Sequence, residues 1–113
     1  MKFAVIGAGA MGQWLAGFIK QNLGEVVVAD ASATQAERVA KELGIISKPI
    51  PEATAEAECV LVAVPISKIP EVIKSLAGQV QRGALLADIT SVKSDVVEVM
   101  QTIEAKVELV SLH

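Results

Sequence analysis

The sequence predicts a doubly wound α/β fold, in which helices cover both faces of a parallel β-sheet. Short runs of apolar residues alternate with segments of helical periodicity about six times along the chain. Most of these runs are apolar throughout, which is typical of strands buried on both faces. With 113 residues, of which 52% are hydrophobic, the chain is long enough to form its own core. We therefore expect a single domain over residues 1–113.

The first apolar stretch, residues 3–19, contains one polar side chain, Gln13. Its length and the preceding lysine resemble a signal peptide or a membrane span. Four glycines interrupt the stretch, however, and a strand-like run at residues 3–6 precedes them, whereas a helical stripe ends near Ile19. A strand, a glycine turn and a helix explain this pattern better than an anchor, so we expect no membrane partner.

The other elements follow in alternation, and glycine or proline marks most of their ends. Apolar and β-branched runs predict further strands at residues 25–30, 45–46, 59–64, 84–89 and 107–112. The spacing of apolar and alanine residues predicts helices at residues 36–43, 52–57, 66–76 and 92–103. A doubly wound fold of the Rossmann type would arrange about six strands in the order 3-2-1-4-5-6.

Composition excludes several classes of function. Ten basic and thirteen acidic residues leave a net charge of −3, and 3% of the residues are aromatic. Such a chain neither attracts a polyphosphate backbone nor offers stacking platforms for bases, so no nucleic-acid partner is expected. The one cysteine, Cys59, cannot form an internal disulfide, and with one histidine it cannot build a metal site. We expect Cys59 to pack in the core of a cytoplasmic protein without a metal.

Residues 7–12 read Gly-Ala-Gly-Ala-Met-Gly and fit the pattern G-x-G-x-x-G. The pattern alone is weak, but here it follows a buried strand directly and opens an amphipathic helix, as in dinucleotide-binding domains. In that setting Gly7 permits the sharp turn, Gly9 lets the backbone approach a pyrophosphate, and Gly12 allows the helix to pack closely on the sheet. The helix N-terminus then offers N–H groups and a positive dipole end to the phosphates. A glycine turn without a ligand is the alternative.

Asp30 stands eighteen residues after Gly12, at the end of the second predicted strand. An acidic residue at this place accepts hydrogen bonds from the adenosine ribose and repels a 2′-phosphate, so the sequence favours NAD over NADP. Ser32 and Arg38 follow closely, and an arginine there would accommodate a phosphate. Without a ligand, Asp30 would instead cap the helix that starts near Ser32.

Ligands of such sheets lie beyond the carboxyl ends of the strands, near the switch point between the first and fourth strands. The end of the fourth strand should therefore border the nicotinamide ribose, although Pro65 would also start a helix. The candidate cofactor-binding residues are Gly7, Gly9, Ala10, Met11, Gly12, Asp30, Ala31, Ser32, Ala63, Val64 and Pro65.

The predicted fifth and sixth strands end at the same rim, at residues 88–91 and 111–113. The oxidation of an alcohol requires a group that accepts a proton near neutral pH, so His113 is a candidate catalytic base. A terminal histidine is otherwise frayed. Ser91 is a candidate catalytic partner, and its alternative role is to cap a helix.

Several stretches together resemble the prephenate dehydrogenase family: the glycine motif, Val-Pro at residues 64–65, and Asp-Ile-Thr-Ser-Val-Lys at residues 88–93. The ending Leu-Val-Ser-Leu-His is also similar to this family, in which it leads into a His-Pro-x-x-Gly motif. The resemblance implies oxidative decarboxylation of prephenate to 4-hydroxyphenylpyruvate, in tyrosine biosynthesis, with hydride passed to the nicotinamide. It also implies that His113 takes the substrate hydroxyl proton and that Ser91 hydrogen-bonds the histidine or the substrate.

The resemblance covers the N-terminal half of that family. Because His113 is the last residue, the Pro-x-x-Gly continuation is absent. Also absent is the helical domain that in the family supplies an arginine for the substrate carboxylates and most of the dimer interface. We therefore expect the cofactor-binding part of a longer, homodimeric dehydrogenase, inactive by itself. Two alternatives stay open: a related β-hydroxyacid or imine reductase, and a non-enzymatic NAD-sensing regulatory domain.

Overall fold

The apolar runs of the sequence pair side by side in a parallel sheet. The computed structural model describes residues 1–89, and within them the strands are β1 (Lys2–Ile6), β2 (Glu25–Ala29), β3 (Ile46–Ser47), β4 (Cys59–Val62) and β5 (Leu85–Asp88). Their order is β3-β2-β1-β4-β5, and every pair is parallel. The chain therefore reverses its direction of winding between β1 and β4, as the predicted order requires.

Helices form the crossovers between these strands. They are α1 (Ala10–Asn22), α2 (Ala33–Leu43), α3 (Ile50–Glu56) and α4 (Ile69–Ala77), and a 3₁₀ turn at Ile66–Lys68 precedes the last. The Oγ of Ser32 caps α2 by accepting a 3.3 Å hydrogen bond from the N–H of Gln35. Gly44 ends α2 with φ +69°, a conformation that glycine adopts without strain.

The core lies on both faces of the sheet. Phe3 and Val5 of β1 pack in a cluster with residues of α1, whereas Ala4 and Ile6 pack in a cluster with residues of α3 and α4. All four side chains are at most 1% exposed. Burial on both faces explains why residues 3–6 of this strand are all apolar, and it confirms the predicted doubly wound class.

The central position of β1 determines what meets at the carboxyl edge of the sheet. Ile6 lies opposite Ala29 on one side and opposite Val62 on the other. Three strands therefore end at the same level. The segments that follow them, residues 7–9, 30–32 and 63–65, come to one edge.

The prediction of a strand, a turn and a helix over residues 3–19 is confirmed by β1 and α1. No helix within residues 1–89 is long and apolar enough to cross a membrane. The order of the five described strands agrees with the prediction. The predicted helix at residues 92–103 and the sixth strand at residues 107–112 lie outside the described residues, as do Ser91 and His113.

Several boundaries differ from the prediction, and proline explains two of them. The strand predicted over residues 59–64 ends at Val62, which lies opposite Ile6 at the end of its partner strand β1. The helix predicted from residue 66 becomes α-helical at Ile69, since Pro70 cannot donate to the carbonyl four residues before it. Conversely, α3 starts at Ile50 with Pro51 in its first turn, where proline is tolerated.

Two other strands are shorter than predicted. The strand predicted over residues 25–30 ends at Ala29, which lies opposite Ile6 at the end of β1. The side chain of Asp30, the next residue, bonds to backbone N–H groups beyond the ladder. The strand predicted over residues 84–89 is paired over Leu85–Asp88.

Candidate functional site

Two glycines hold the turn between β1 and α1 tightly against the sheet. Gly7 has φ +118°, and a Cβ atom on it would lie 2.3 Å from the carbonyl oxygen of Ala63. A Cβ atom on Gly12 would lie 1.8 Å from the carbonyl oxygen of Gly7. Real Cβ atoms do not approach oxygen so closely, so any side chain would force the backbone apart. The fold itself therefore requires glycine at both positions.

Gly9 is different, because nothing in the described structure requires it. A Cβ atom on Gly9 would have no heavy atom within 4 Å, and its φ of −80° suits any residue. The residue is exposed and is the N-cap of α1, yet no side chain caps this helix start and no acidic residue lies in its first turn. An exposed glycine at an uncapped helix start leaves room for a group outside the chain to approach the backbone.

Both carboxylate oxygens of Asp30 accept hydrogen bonds from backbone N–H groups. Oδ2 accepts from the N–H of Ala8 at 2.7 Å, and Oδ1 accepts from the N–H of Ser32 at 2.8 Å. Asp30 thereby joins the glycine turn to the loop before α2. The alternative in which Asp30 caps α2 is wrong, since Ser32 is the N-cap. A carboxylate has about four acceptor sites, so Asp30 keeps capacity for further donors.

The segment after β4 lies directly against the glycine turn. The N–H of Ala63 donates to the carbonyl of Ile6 at 2.8 Å, and the carbonyl of Ala63 fills the space where Gly7 would carry a side chain. Ala63 is 7% exposed, Val64 is half-buried and Pro65 is exposed. The structure therefore brings this segment, the glycine turn and Asp30 to one edge, together with the exposed residues Ala31 and Ser32.

A cleft of about 420 Å³ opens beside Asp30, between the starts of α2 and α3. Clefts that bind small molecules have volumes of roughly 300–1,000 Å³ and mostly apolar walls. The sequence did not predict the α3 side of this cleft, although a placement of β3 at the same edge would have indicated it. The lining residues are Asp30, Ala31, Ala33, Ala36, Glu37, Ser47, Lys48, Pro49, Ile50 and Pro51.

The charged groups around the cleft leave it little positive charge. The ammonium of Lys48 donates a hydrogen bond to the carboxylate of Glu56. This bond is the main reason why the pKa of Glu56 lies below its ordinary value and the pKa of Lys48 above its own. Arg38, a candidate phosphate ligand from the sequence, pairs instead with Glu42 at 3.0 Å on the surface of α2.

Four features together define the class of protein to which the chain belongs. They are the order of the strands, the reversal of winding between β1 and β4, the glycine turn and the acidic residue Asp30. The chain has the Rossmann fold of NAD-binding oxidoreductase domains, with its candidate site at the switch point of the sheet. The cofactor of this class is a nicotinamide dinucleotide.

Comparison with known proteins narrows the class to a family. The family model described as the nucleotide-binding domain of prephenate dehydrogenase matches residues 15–113. The chain belongs to this family. It is 38% identical over 88 residues to a probable arogenate/prephenate dehydrogenase of Methanocaldococcus jannaschii, a match over 77% of this chain and 20% of that protein. It is 32% identical over 100 residues to a prephenate dehydrogenase of Lactococcus lactis, over 86% of this chain and 28% of that protein.

A solved structure supports the fold. The arogenate dehydrogenase of Synechocystis superposes with a TM-score of 0.74 at 21% identity, over 88% of this chain and 36% of that chain. The present chain thus spans between a fifth and about a third of the length of these relatives.

Proposed function

We propose that this chain binds NAD and serves as the nucleotide-binding domain of a dehydrogenase that converts prephenate to 4-hydroxyphenylpyruvate and carbon dioxide. The observation that supports the binding proposal most strongly is the environment of Gly9. Its Cβ position is open, it is exposed, and it begins an uncapped helix, so its small size serves a group that approaches from outside. A pyrophosphate is such a group, since its charge is stabilised by N–H groups at a helix N-terminus.

The surrounding residues fit the rest of a dinucleotide. The first-turn N–H groups of Ala10 and Met11 would hold the pyrophosphate, and the free acceptor sites of Asp30 would hold the adenosine ribose. The cleft between Ala31 and Ile50 would receive the adenine, because its walls are mostly apolar and adjoin Asp30. The segment from Ala63 to Pro65 would then border the nicotinamide ribose on the other side of the turn.

The charges favour NAD over NADP. The carboxylates of Asp30 and Glu37 line the cleft, and Lys48, which also lines it, is paired with Glu56. A 2′-phosphate bound there would therefore meet negative charge without an unpaired cation among the lining residues. Arg38 is held by Glu42 and is not a lining residue. The positions of these charged residues support the preference for NAD over NADP that Asp30 alone predicts.

The chemical roles rest on the family resemblance. A bound nicotinamide would supply the hydride acceptor for the substrate carbon that carries the hydroxyl group. We propose that His113 takes the hydroxyl proton and that Ser91 orients the histidine or the substrate by a hydrogen bond. We also propose that the whole protein acts as a homodimer, as the family does.

The test is an assay of the whole protein that carries this chain, with NAD and either prephenate or arogenate, followed by NADH absorbance. The proposal predicts NADH formation with prephenate and release of one carbon dioxide per turnover. Replacing the base, His113→Asn, should lower kcat by about 10²–10⁴ while the Kd for NAD stays unchanged. Oxidation of arogenate alone would replace the proposed substrate. NAD binding without oxidation of either compound would favour a regulatory NAD sensor.

A further inference from the structure

Ala8, between the first two glycines of the turn, is held at three points. Its side chain is fully buried and packs against β2 and α2. Its N–H donates to Oδ2 of Asp30 at 2.7 Å. Its carbonyl oxygen accepts a 2.9 Å hydrogen bond from Nε2 of Gln35, which lies 27 residues away in the first turn of α2. The next residue, Gly9, is exposed. The tightly held part of the turn therefore ends at Ala8.

Gln35 makes this bond in place of the capping-box bond that is usual for a glutamine at its position. Ser32 and Gln35 fit the capping-box pattern S-x-x-Q, in which the glutamine side chain accepts from the N–H of the serine at the N-cap. Here Oδ1 of Asp30 accepts that N–H at 2.8 Å. The side chain of Gln35 is therefore not held at the N-cap, and its Nε2 donates instead to the carbonyl of Ala8, the residue whose N–H is bound by Asp30.

The two side chains fix two successive peptide planes. A peptide unit is planar and trans, so its C=O and N–H groups point in opposite directions. The Asp30 bond fixes the peptide between Gly7 and Ala8, which is also held by the close approach of Gly12 to the Gly7 carbonyl. The Gln35 bond fixes the peptide between Ala8 and Gly9. It therefore directs the N–H of Gly9, the N-cap of α1, away from α2.

We infer that Gln35 is a positioning residue for the phosphates of the cofactor, acting through the Ala8–Gly9 peptide. This inference rests on the proposed binding of NAD. Because Ala8 is fully buried, loss of the Gln35 amide leaves its carbonyl without that partner, and the peptide then rotates to find water or another donor. Such a rotation turns the Gly9 N–H and disturbs the start of α1, where the pyrophosphate would bind.

The experiment compares Gln35→Met with a matched control, Gln81→Met. Methionine keeps the length and the helix propensity of glutamine but has no N–H donor. Gln81 makes the same kind of bond elsewhere, from Nε2 to the carbonyl of Ala57 at 2.8 Å. Calorimetry would measure the Kd of NAD and of ADP, and nuclear magnetic resonance titration would measure the Kd of adenosine, which carries no phosphate. Urea unfolding without ligand would show how far each variant is destabilised.

The inference predicts that Gln35→Met weakens NAD and ADP binding by about tenfold, because the Ala8–Gly9 peptide of the free variant is mostly rotated and must turn back when the phosphates bind. Adenosine affinity should stay within about twofold of the wild type, and Gln81→Met should leave all three affinities unchanged despite a similar loss of stability. Gln35→Asn, which keeps the amide but is one methylene shorter, should behave as Gln35→Met does.

Three outcomes would overturn the inference. An unchanged NAD affinity in Gln35→Met would show that the peptide is held without Gln35. An equal loss for adenosine would indicate general loosening of the domain. Wild-type protein that binds neither NAD nor NADP would overturn the proposed function and this inference with it, whereas the first two outcomes leave the proposed function intact.

Discussion

The N–H of Ala8 and Oδ2 of Asp30 form a 2.7 Å hydrogen bond that joins the glycine turn to the end of β2. The bond spans 22 residues of sequence and crosses from the first strand to the second. The acidic residue expected to recognise the ribose therefore also holds the turn expected to receive the pyrophosphate. Under the proposed function, this one side chain would couple recognition of the ribose to preorganisation of the turn.

The substitution Asp30→Ala tests this coupling. It removes the acceptor for Ala8 and Ser32, and we expect the free energy of unfolding to fall by about 1–3 kcal/mol. NAD affinity should fall by about tenfold or more, because the proposed ribose contact is also lost. NADP affinity should fall less, since repulsion of the 2′-phosphate is relieved. Calorimetric titration with both cofactors measures the two losses, and equal losses would contradict the ribose contact.

Alanine substitutions at two glycines of the turn should have different effects, one on the stability of the fold and the other on NAD affinity. Gly12→Ala places a Cβ atom 1.8 Å from the Gly7 carbonyl, and it should destabilise the fold by about 3 kcal/mol or more. Gly9→Ala meets no atom within 4 Å, so stability should change by less than about 0.5 kcal/mol. NAD affinity should nevertheless fall by at least about tenfold, because the methyl group occupies the path of the pyrophosphate.

Gly78→Ala is the matched control for Gly9→Ala. Its Cβ position is also open, and the residue follows α4 with φ −84°. The variant should leave NAD affinity unchanged. Urea unfolding and calorimetry together distinguish the cases, and a Gly9→Ala protein that binds NAD as tightly as the wild type would contradict the proposed approach of the pyrophosphate.

Much of this architecture could be predicted because it depends on local sequence. The run at residues 3–6, the glycines and the helical stripe that follows them specify strand, turn and helix by periodicity and by conformational freedom alone. The switch point then follows from the alternation of elements. These features also predict, from the sequence alone, that the segments around Gly7, Asp30 and Ala63 meet at one edge of the sheet.

The remaining features depend on distances between separate elements. Gln35 is an ordinary polar residue of a helix in the sequence, and its bond to Ala8 exists because α2 packs beside the turn. The cleft between Ala31 and Ile50 arises from the position of a two-residue strand, β3, which carries little periodicity. Asp30 was predicted to bind a ligand or to cap a helix, and its two backbone bonds were not foreseen.

Arg38 is predicted to have no part in the choice between NAD and NADP. Its guanidinium pairs with Glu42, and both side chains are about half exposed. Because this pair lies on the surface and away from the cleft, Arg38→Ala should change the Kd values of NAD and NADP by less than about twofold. A marked loss for NADP alone would show that Arg38 leaves Glu42 to bind a 2′-phosphate.

The pair of Lys48 and Glu56 should give a pH-dependent contribution to stability. The pKa of Glu56 is lowered in the folded chain, mainly by its hydrogen bond with Lys48. The unfolded chain therefore binds more protons in acid, so this contribution is present above the ordinary glutamate pKa and is lost as pH falls through the lowered value. The pKa of Lys48 is raised, so its contribution is lost only as pH rises through that raised value.

Urea unfolding of wild type and Glu56→Gln between about pH 3 and pH 8 measures this effect. The difference in midpoint should be small, because both side chains are partly exposed. It should be largest near neutral pH and should vanish in acid and in high salt. A constant difference across the range would show that the substitution acts by packing rather than by charge.

The central claim, that the open edge around Gly9 and Asp30 binds NAD, is tested most directly by calorimetric titration of this chain with NAD and, separately, with NADP. We predict one NAD bound per chain, with tighter binding than NADP, and a urea midpoint that rises as NAD is added. A folded chain that gives no binding heat with either dinucleotide, and whose urea midpoint neither of them shifts, would contradict the claim.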